Sequence, residues 1–143
     1  MSRSGYIDDE PMSNTEQWAL IRWRGAVKSA FRGRRGQSAL RDTLAAMDAL
    51  PERKLIANDL ENTAGEVCAL GALARARHVD LDDVDPEDAE TVARKLDIAE
   101  AMVREIVEVN DEWGDYNETP ERRWGRMHAW LKKHVRNDPG VTQ

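Results

Sequence analysis

Cysteine is almost missing from this chain: its 143 residues include one, Cys68. No internal disulfide can form, so the fold must rest on packing, and such usage fits a reducing compartment. Phenylalanine and tyrosine are scarce too, one and two residues against five tryptophans. Trp combines a large apolar surface with an N–H that seeks a partner, so it suits cores and interfaces alike. No apolar run approaches the roughly 20 residues needed to cross a bilayer. The first seventeen residues are polar and acidic and contain no signal-like segment. These absences predict a soluble, intracellular protein.

The spacings that announce chemistry are missing as well. There is no Cys-x-x-Cys or His-x-x-x-His pair, and Cys68, His78, His128 and His134 are scattered. A nucleophile built from Cys68 and a histidine has no local support. Gly33, Gly36 and Gly65 do not follow a strand as a phosphate-binding fingerprint would. Asp80, Asp82, Asp83 and Asp85 resemble a calcium loop only in composition. Counting from Asp80, Asp85 stands where that loop needs glycine and Thr91 where it needs glutamate. The expectation is a non-enzyme with no metal and no cofactor.

Charge of one sign is also missing from whole stretches. Between Glu16 and Asp42 there is no acidic residue but seven basic ones: Arg22, Arg24, Lys28, Arg32, Arg34, Arg35 and Arg41. From Asp80 to Glu118 fifteen acids face only Arg94, Lys95 and Arg104. Residues 122–136 turn basic again. Blocks of this kind create local fields of opposite sign, within a chain whose net charge is −6.

The apolar pattern is helical almost throughout. A chain of this length forms one domain with its own core. Residues 1–13 read as a disordered tail and 138–143 as a flexible one, leaving a single domain over 14–137. Ser13 and Glu16 have capping-box spacing. Leu20, Trp23, Val27 and Phe31, widened by Trp18 and Ile21, then share a face of a first helix ending near Phe31. A short basic turn over 33–36 leads to a second helix from about Gln37 to Leu50. Residues 54–70 read as a small β-hairpin with an irregular loop, and 70–77 as a buried helix. Asp85-Pro86 predicts a helix start, Asp97 caps the next helix, and Thr119-Pro120 opens the last. The fold class is therefore mainly α, a single compact domain of about five or six helices with one small β-hairpin.

Three surfaces are candidates for binding. The basic segment, through Arg22, Arg24, Arg32, Arg34, Arg35 and Arg41, could follow a phosphate backbone, with Trp23 stacking on a base. The plain alternative is a solvated helix face paired with the protein's own acids. The acidic block could imitate the charge of nucleic acid, although helix caps and first-turn acids explain many of its members. Reading residues 70–109 as a DNA-binding helix-turn-helix fails, because the would-be recognition segment is acidic. Trp113 and Trp130, off the apolar stripes, are candidate interface anchors; Trp18, Trp23 and Trp124 fit the core.

Four segments carry a resemblance to known proteins. They are residues 18–27 (WALIRWRGAV) with the Arg-Gly turn after them, residues 65–73 (GEVCALGAL), Arg104-Glu105-Ile106-Val107 with Asn110-Asp111-Glu112, and residues 118–124 (ETPERRW). In these the chain resembles a family of small uncharacterised proteins encoded in bacteriophage and prophage genomes. The resemblance transfers no catalytic residue. It implies a phage accessory protein in the bacterial host cytoplasm, and with the missing chemistry it favours protein–protein interaction with a bacterial host or defence component. Nucleic-acid binding through residues 22–41 is the alternative.

Overall fold

The computed structural model describes residues 13–136, so the two expected tails lie outside the described residues except for Ser13. Helix α1 spans Asn14–Arg32. Its start follows the capping-box reading: Ser13 Oγ accepts from the Glu16 N–H at 3.2 Å, and Glu16 Oε2 accepts from the Ser13 N–H at 3.1 Å. Such a cap stabilises by about 1 kcal/mol. Only Val27 and Phe31 of this helix are buried, with Leu20, Trp23 and Ala30 half-buried. The expected stripe is therefore real at its C-terminal end and fades toward its N-terminus. Trp18, expected in the core, is 64% exposed.

Gly33 separates α1 from α2, which spans Arg34–Asp48. The second helix thus begins before Gln37, and the expected four-residue turn shrinks to one glycine. Gly36 lies inside α2 because the two helices touch there: a Cβ would strike the Ala30 carbonyl.

The expected β-hairpin over residues 54–70 is not present. The segment makes a single isolated antiparallel bridge, Glu61 to Val67, and among the described residues no strand forms. Bonds across it, such as those from the Ile56 N–H to the Val67 carbonyl at 3.0 Å and from the Cys68 N–H to the Leu60 carbonyl at 3.2 Å, are too few and irregular to make a ladder. The Leu55 N–H donates to the Pro120 carbonyl at 3.1 Å, and Asn58 turns left-handed at φ 71°. Asn62 Oδ1 accepts from the N–H groups of Ala64 and Glu66 at 3.0 and 2.9 Å, which curls the loop on itself. Leu55, Leu60 and Val67 are nonetheless buried, so their apolar pattern was a core signal without a ladder.

Helix α3 spans Ala69–Ala76, and Cys68 caps it. Helix α4 spans Ala89–Leu96 and is capped by Asp88 rather than Asp85; Asp85 Oδ1 accepts from the Glu87 N–H at 2.9 Å in a turn before it. Asp97 does not open α5. It closes α4 in the left-handed conformation, φ 56°, and α5 runs Glu100–Glu112 with no side-chain cap. Helix α6 spans Pro120–His134, with Thr119 Oγ1 accepting from the Arg122 N–H at 3.1 Å as the cap.

The six helices found among the described residues share one core. Helix α2 lies between α3 and α6, while α5 packs on α1, α3, α4 and α6. Leu40, Met47, Met102, Ile106, Met127 and Leu131 are fully enclosed between them. No described helix is long and apolar enough to cross a membrane.

A polar node fastens one end of the molecule. Arg126 grips Glu118 with two hydrogen bonds, Nε to Oε2 at 2.6 Å and Nη2 to Oε1 at 2.8 Å. It also donates to the Val109 and Asn110 carbonyls at the end of α5. Arg123 bridges the Asn110 and Leu55 carbonyls at 3.2 and 3.1 Å. Buried Asn110 completes the tie, accepting from the Ala69 N–H at 3.2 Å and donating to the Ile56 carbonyl at 3.0 Å. The arginines satisfy carbonyls that the end of a helix leaves without partners. The other end of α6, a helix about 22 Å long by its rise, bounds the groove described next.

Candidate functional site

The C-terminal ends of α1 and α6 meet over Gln37. Its side chain is buried in α2, and its Nε2 donates to the Phe31 carbonyl at 2.7 Å and the His134 carbonyl at 3.1 Å. Its Oε1 accepts from the Arg136 N–H at 2.8 Å. Beside this polar clamp sits an aromatic cluster. Phe31 meets Trp130 and His134 edge-on, each at 5.5 Å between ring centres, and Trp130 lies over His134 at 4.5 Å. His134 Nδ1 is 2.8 Å from the Trp130 carbonyl. A carbonyl can only accept, so that nitrogen carries the proton.

A groove of about 480 Å³ opens above this cluster. Arg24, Lys28 and Arg32 line it from α1, while Lys133, His134 and Arg136 line it from the end of α6; Glu105 is its single acid. The three α1 cations recur every four residues, which stacks them on one helix face. Among the described residues, none of Arg24, Lys28, Arg32, Lys133 and Arg136 forms an ion pair with a carboxylate. Five full charges thus face one concavity beside a single carboxylate, Glu105. Such a field attracts anions at range and holds them through charge-assisted hydrogen bonds.

The expected site residues divide in space. Arg24 and Arg32 enter the groove. Arg22 is exposed on α1, turned from the Arg24–Lys28–Arg32 line by helical geometry. Arg34 and Arg35 line a smaller hollow of about 270 Å³ beside Gly33. Arg35 is already engaged, its Nη1 3.1 Å from Asp97 Oδ1. Arg41 donates through Nη2 to the Arg136 carbonyl at 3.0 Å and so supports the groove from behind. Trp130 is 9% exposed and belongs to the aromatic floor. It is a core residue, not a surface anchor, because the turn of α6 that carries it faces Phe31. Trp113 is exposed, as is Tyr116 in the loop after it. Lys28, Lys133 and Arg136 were absent from the expected site. The basic run at 122–136 was the available signal, but nothing in sequence joined it to the first block.

The acidic block sits mostly elsewhere. Asp59, Glu61, Asp80 and Asp82 line a separate hollow of about 510 Å³, where Arg75 is the one cation. Many of its carboxylates serve the backbone: Asp80 Oδ1 accepts from the Asp82 N–H at 2.9 Å and Asp88 Oδ1 from the Thr91 N–H at 3.1 Å. Hydrogen bonds from the Thr91 side chain and backbone hold the Asp88 carboxyl below its ordinary pKa. The two blocks touch through the exposed Arg35–Asp97 pair, a contact of small energetic weight.

The remaining chemical groups have structural employment. Cys68 is 1% exposed, and its Sγ accepts from the Gly71 N–H at 3.4 Å. His128 stacks on Trp124 at 4.5 Å and lies 2.9 Å from Asp48 through Nε2, while Arg53 sits over the same indole at 4.8 Å. Among the described residues no three His, Cys, Asp or Glu side chains gather as metal ligands would.

No family model, curated protein or solved structure matches this chain. Its functional reading therefore rests on the groove and the surface around it.

Proposed function

We propose that this chain is a non-enzymatic binding protein whose basic groove takes the phosphate backbone of a nucleic acid. The observation that carries this reading is the convergence of two separate basic blocks on one concavity. Arg24, Lys28 and Arg32 come from the first, Lys133 and Arg136 from the third. Cations near helix ends also complement helix dipoles, which accounts for Arg32 and Lys133 individually. It does not account for Arg24 and Lys28, which lie farther back on α1. A net charge of −6 makes this a local grip rather than a general affinity for polyanions.

The test is a titration of labelled oligonucleotide against salt. Five phosphate contacts predict a slope of log affinity against log salt of about −4. Arg24→Glu with Lys28→Glu should abolish binding, whereas Arg35→Ala, which breaks only the Asp97 pair, should change it less than about twofold. Absence of any salt-sensitive binding at low ionic strength would sink the reading.

A second reading, interaction with a bacterial host or defence protein, is favoured by one separate observation. Trp113 and Tyr116 stand exposed together in the connection between α5 and α6, and such residues are enriched at interaction hot spots. Recovery of a specific host protein that Trp113→Ala and Tyr116→Ala release would support it. The setting we propose, a phage accessory protein in the bacterial cytoplasm, rests on sequence resemblance alone.

A further inference from the structure

We infer that the nucleic acid this protein takes is single-stranded, with Trp18 as a stacking platform for a base; the inference rests on the groove reading above. Residues 14–26 of α1 bury no side chain fully. Its apolar side chains Trp18 and Ile21 are 64% and 60% exposed, although large apolar side chains on a surface helix normally face a core. They are not scattered. Ile21 precedes Arg24 by three residues and Lys28 by seven, so it continues the cationic line of the groove toward the N-terminus. Trp18 stands one turn further along, rotated about 60° from Ile21 toward Arg22, so it flanks the cationic line rather than extending it. A Cβ on Gly25, between this pair and Lys28, would meet nothing within 4 Å, so the strip is open.

An exposed indole beside a row of cations that form no ion pair among the described residues has the composition of a single-strand site: charges hold the backbone and an aromatic face receives a base. In a duplex the base faces are already stacked on one another, and an indole on the rim could touch only sugar and phosphate. A second copy of the chain fits this face less well. Pairing two α1 helices symmetrically would set Arg22, Arg24 and Lys28 of one copy against the same residues of the other, a like-charge contact that disfavours association.

The experiment measures anisotropy of labelled oligonucleotides of one sequence, as single strand and as duplex. It uses the full chain and its Trp18→Ala, Trp18→Phe and Arg24→Glu/Lys28→Glu variants, with sedimentation velocity on each. The expected result is tighter binding of the single strand. Trp18→Ala should weaken it on the order of tenfold, Trp18→Phe should restore most of the loss, and duplex binding should stay within about twofold of the parent. Three outcomes would overturn the inference. Single-strand affinity indifferent to Trp18→Ala but abolished by the charge reversals leaves the groove reading standing alone. No salt-sensitive binding of either form removes both. Loss of a self-associated species in Trp18→Ala, with oligonucleotide affinity unchanged, assigns the patch to a second copy.

Discussion

The backbone N–H of Arg136 donates to Gln37 Oε1 at 2.8 Å across a separation of 99 residues. With the two carbonyls that Gln37 Nε2 serves, this contact sets the end of α6 against the end of α1. These bonds tie together the two helix ends that line the groove.

Gln37→Leu should leave the Phe31 and His134 carbonyls and the Arg136 N–H without this partner in a largely dry site. The cost should be about 2 kcal/mol, read as a lower midpoint in urea unfolding. The same variant should weaken oligonucleotide binding, because Lys133 and Arg136 lose their fixed position opposite Arg24 and Lys28.

Glu118 gives the fold a defined acid sensitivity. Its side chain is 6% exposed, and the hydrogen bonds from Arg126, followed by the charges of Arg126, Arg123 and Arg122, hold its pKa below the ordinary glutamate value. A carboxyl depressed in the folded state binds fewer protons there than in the unfolded chain. Its stabilisation is present above the unfolded-state pKa and disappears as pH falls through the folded-state value. Glu118→Gln should cost about 3 kcal/mol at neutral pH and flatten stability against pH in the acid range. An unchanged pH profile would show that the pair is not what fastens α5 to α6.

Two glycines in helices should respond in opposite directions. Gly25→Ala adds a methyl into open space and should stabilise by about 0.5–1 kcal/mol through helix propensity. Gly36→Ala drives a methyl into the Ala30 carbonyl, where backbone must move, and should destabilise by about 1–3 kcal/mol. Thermal melts of the two variants beside the parent decide the matter.

Cys68 should be inert to a thiol reagent in the native protein and fully reactive after unfolding. The group is enclosed and already accepts from the Gly71 N–H, and thiol reactivity requires access as well as thiolate. Rapid native labelling would reopen the nucleophile that its burial argues against.

Local rules carried the helical part of the fold. Ser13 with Glu16 and Thr119 with Pro120 mark true helix starts, since a cap needs only neighbours a few residues away. The same locality explains where the sequence reading went astray. Asp97 has the chemistry of an N-cap but closes α4 instead, because aspartate also tolerates the left-handed conformation. Leu55 and Val67 carry an apolar pattern that a hairpin and a buried loop share. In the fold Ile56 bonds to Val67, but Leu55 beside it turns to Pro120, so the ladder does not continue.

Sequence alone settled the mainly helical class, the caps at Ser13 and Thr119, and the sorting of charge, all properties of neighbouring residues. Tertiary structure decided which charges act together. It joined Arg24, Lys28 and Arg32 to Lys133 and Arg136, spent Arg35 on Asp97 and Arg41 on a carbonyl, buried Trp130, and left Trp18 in water. Helix periodicity states which residues share a face. Whether that face meets a neighbour depends on where the other helices end, and those ends are set by packing across the whole chain.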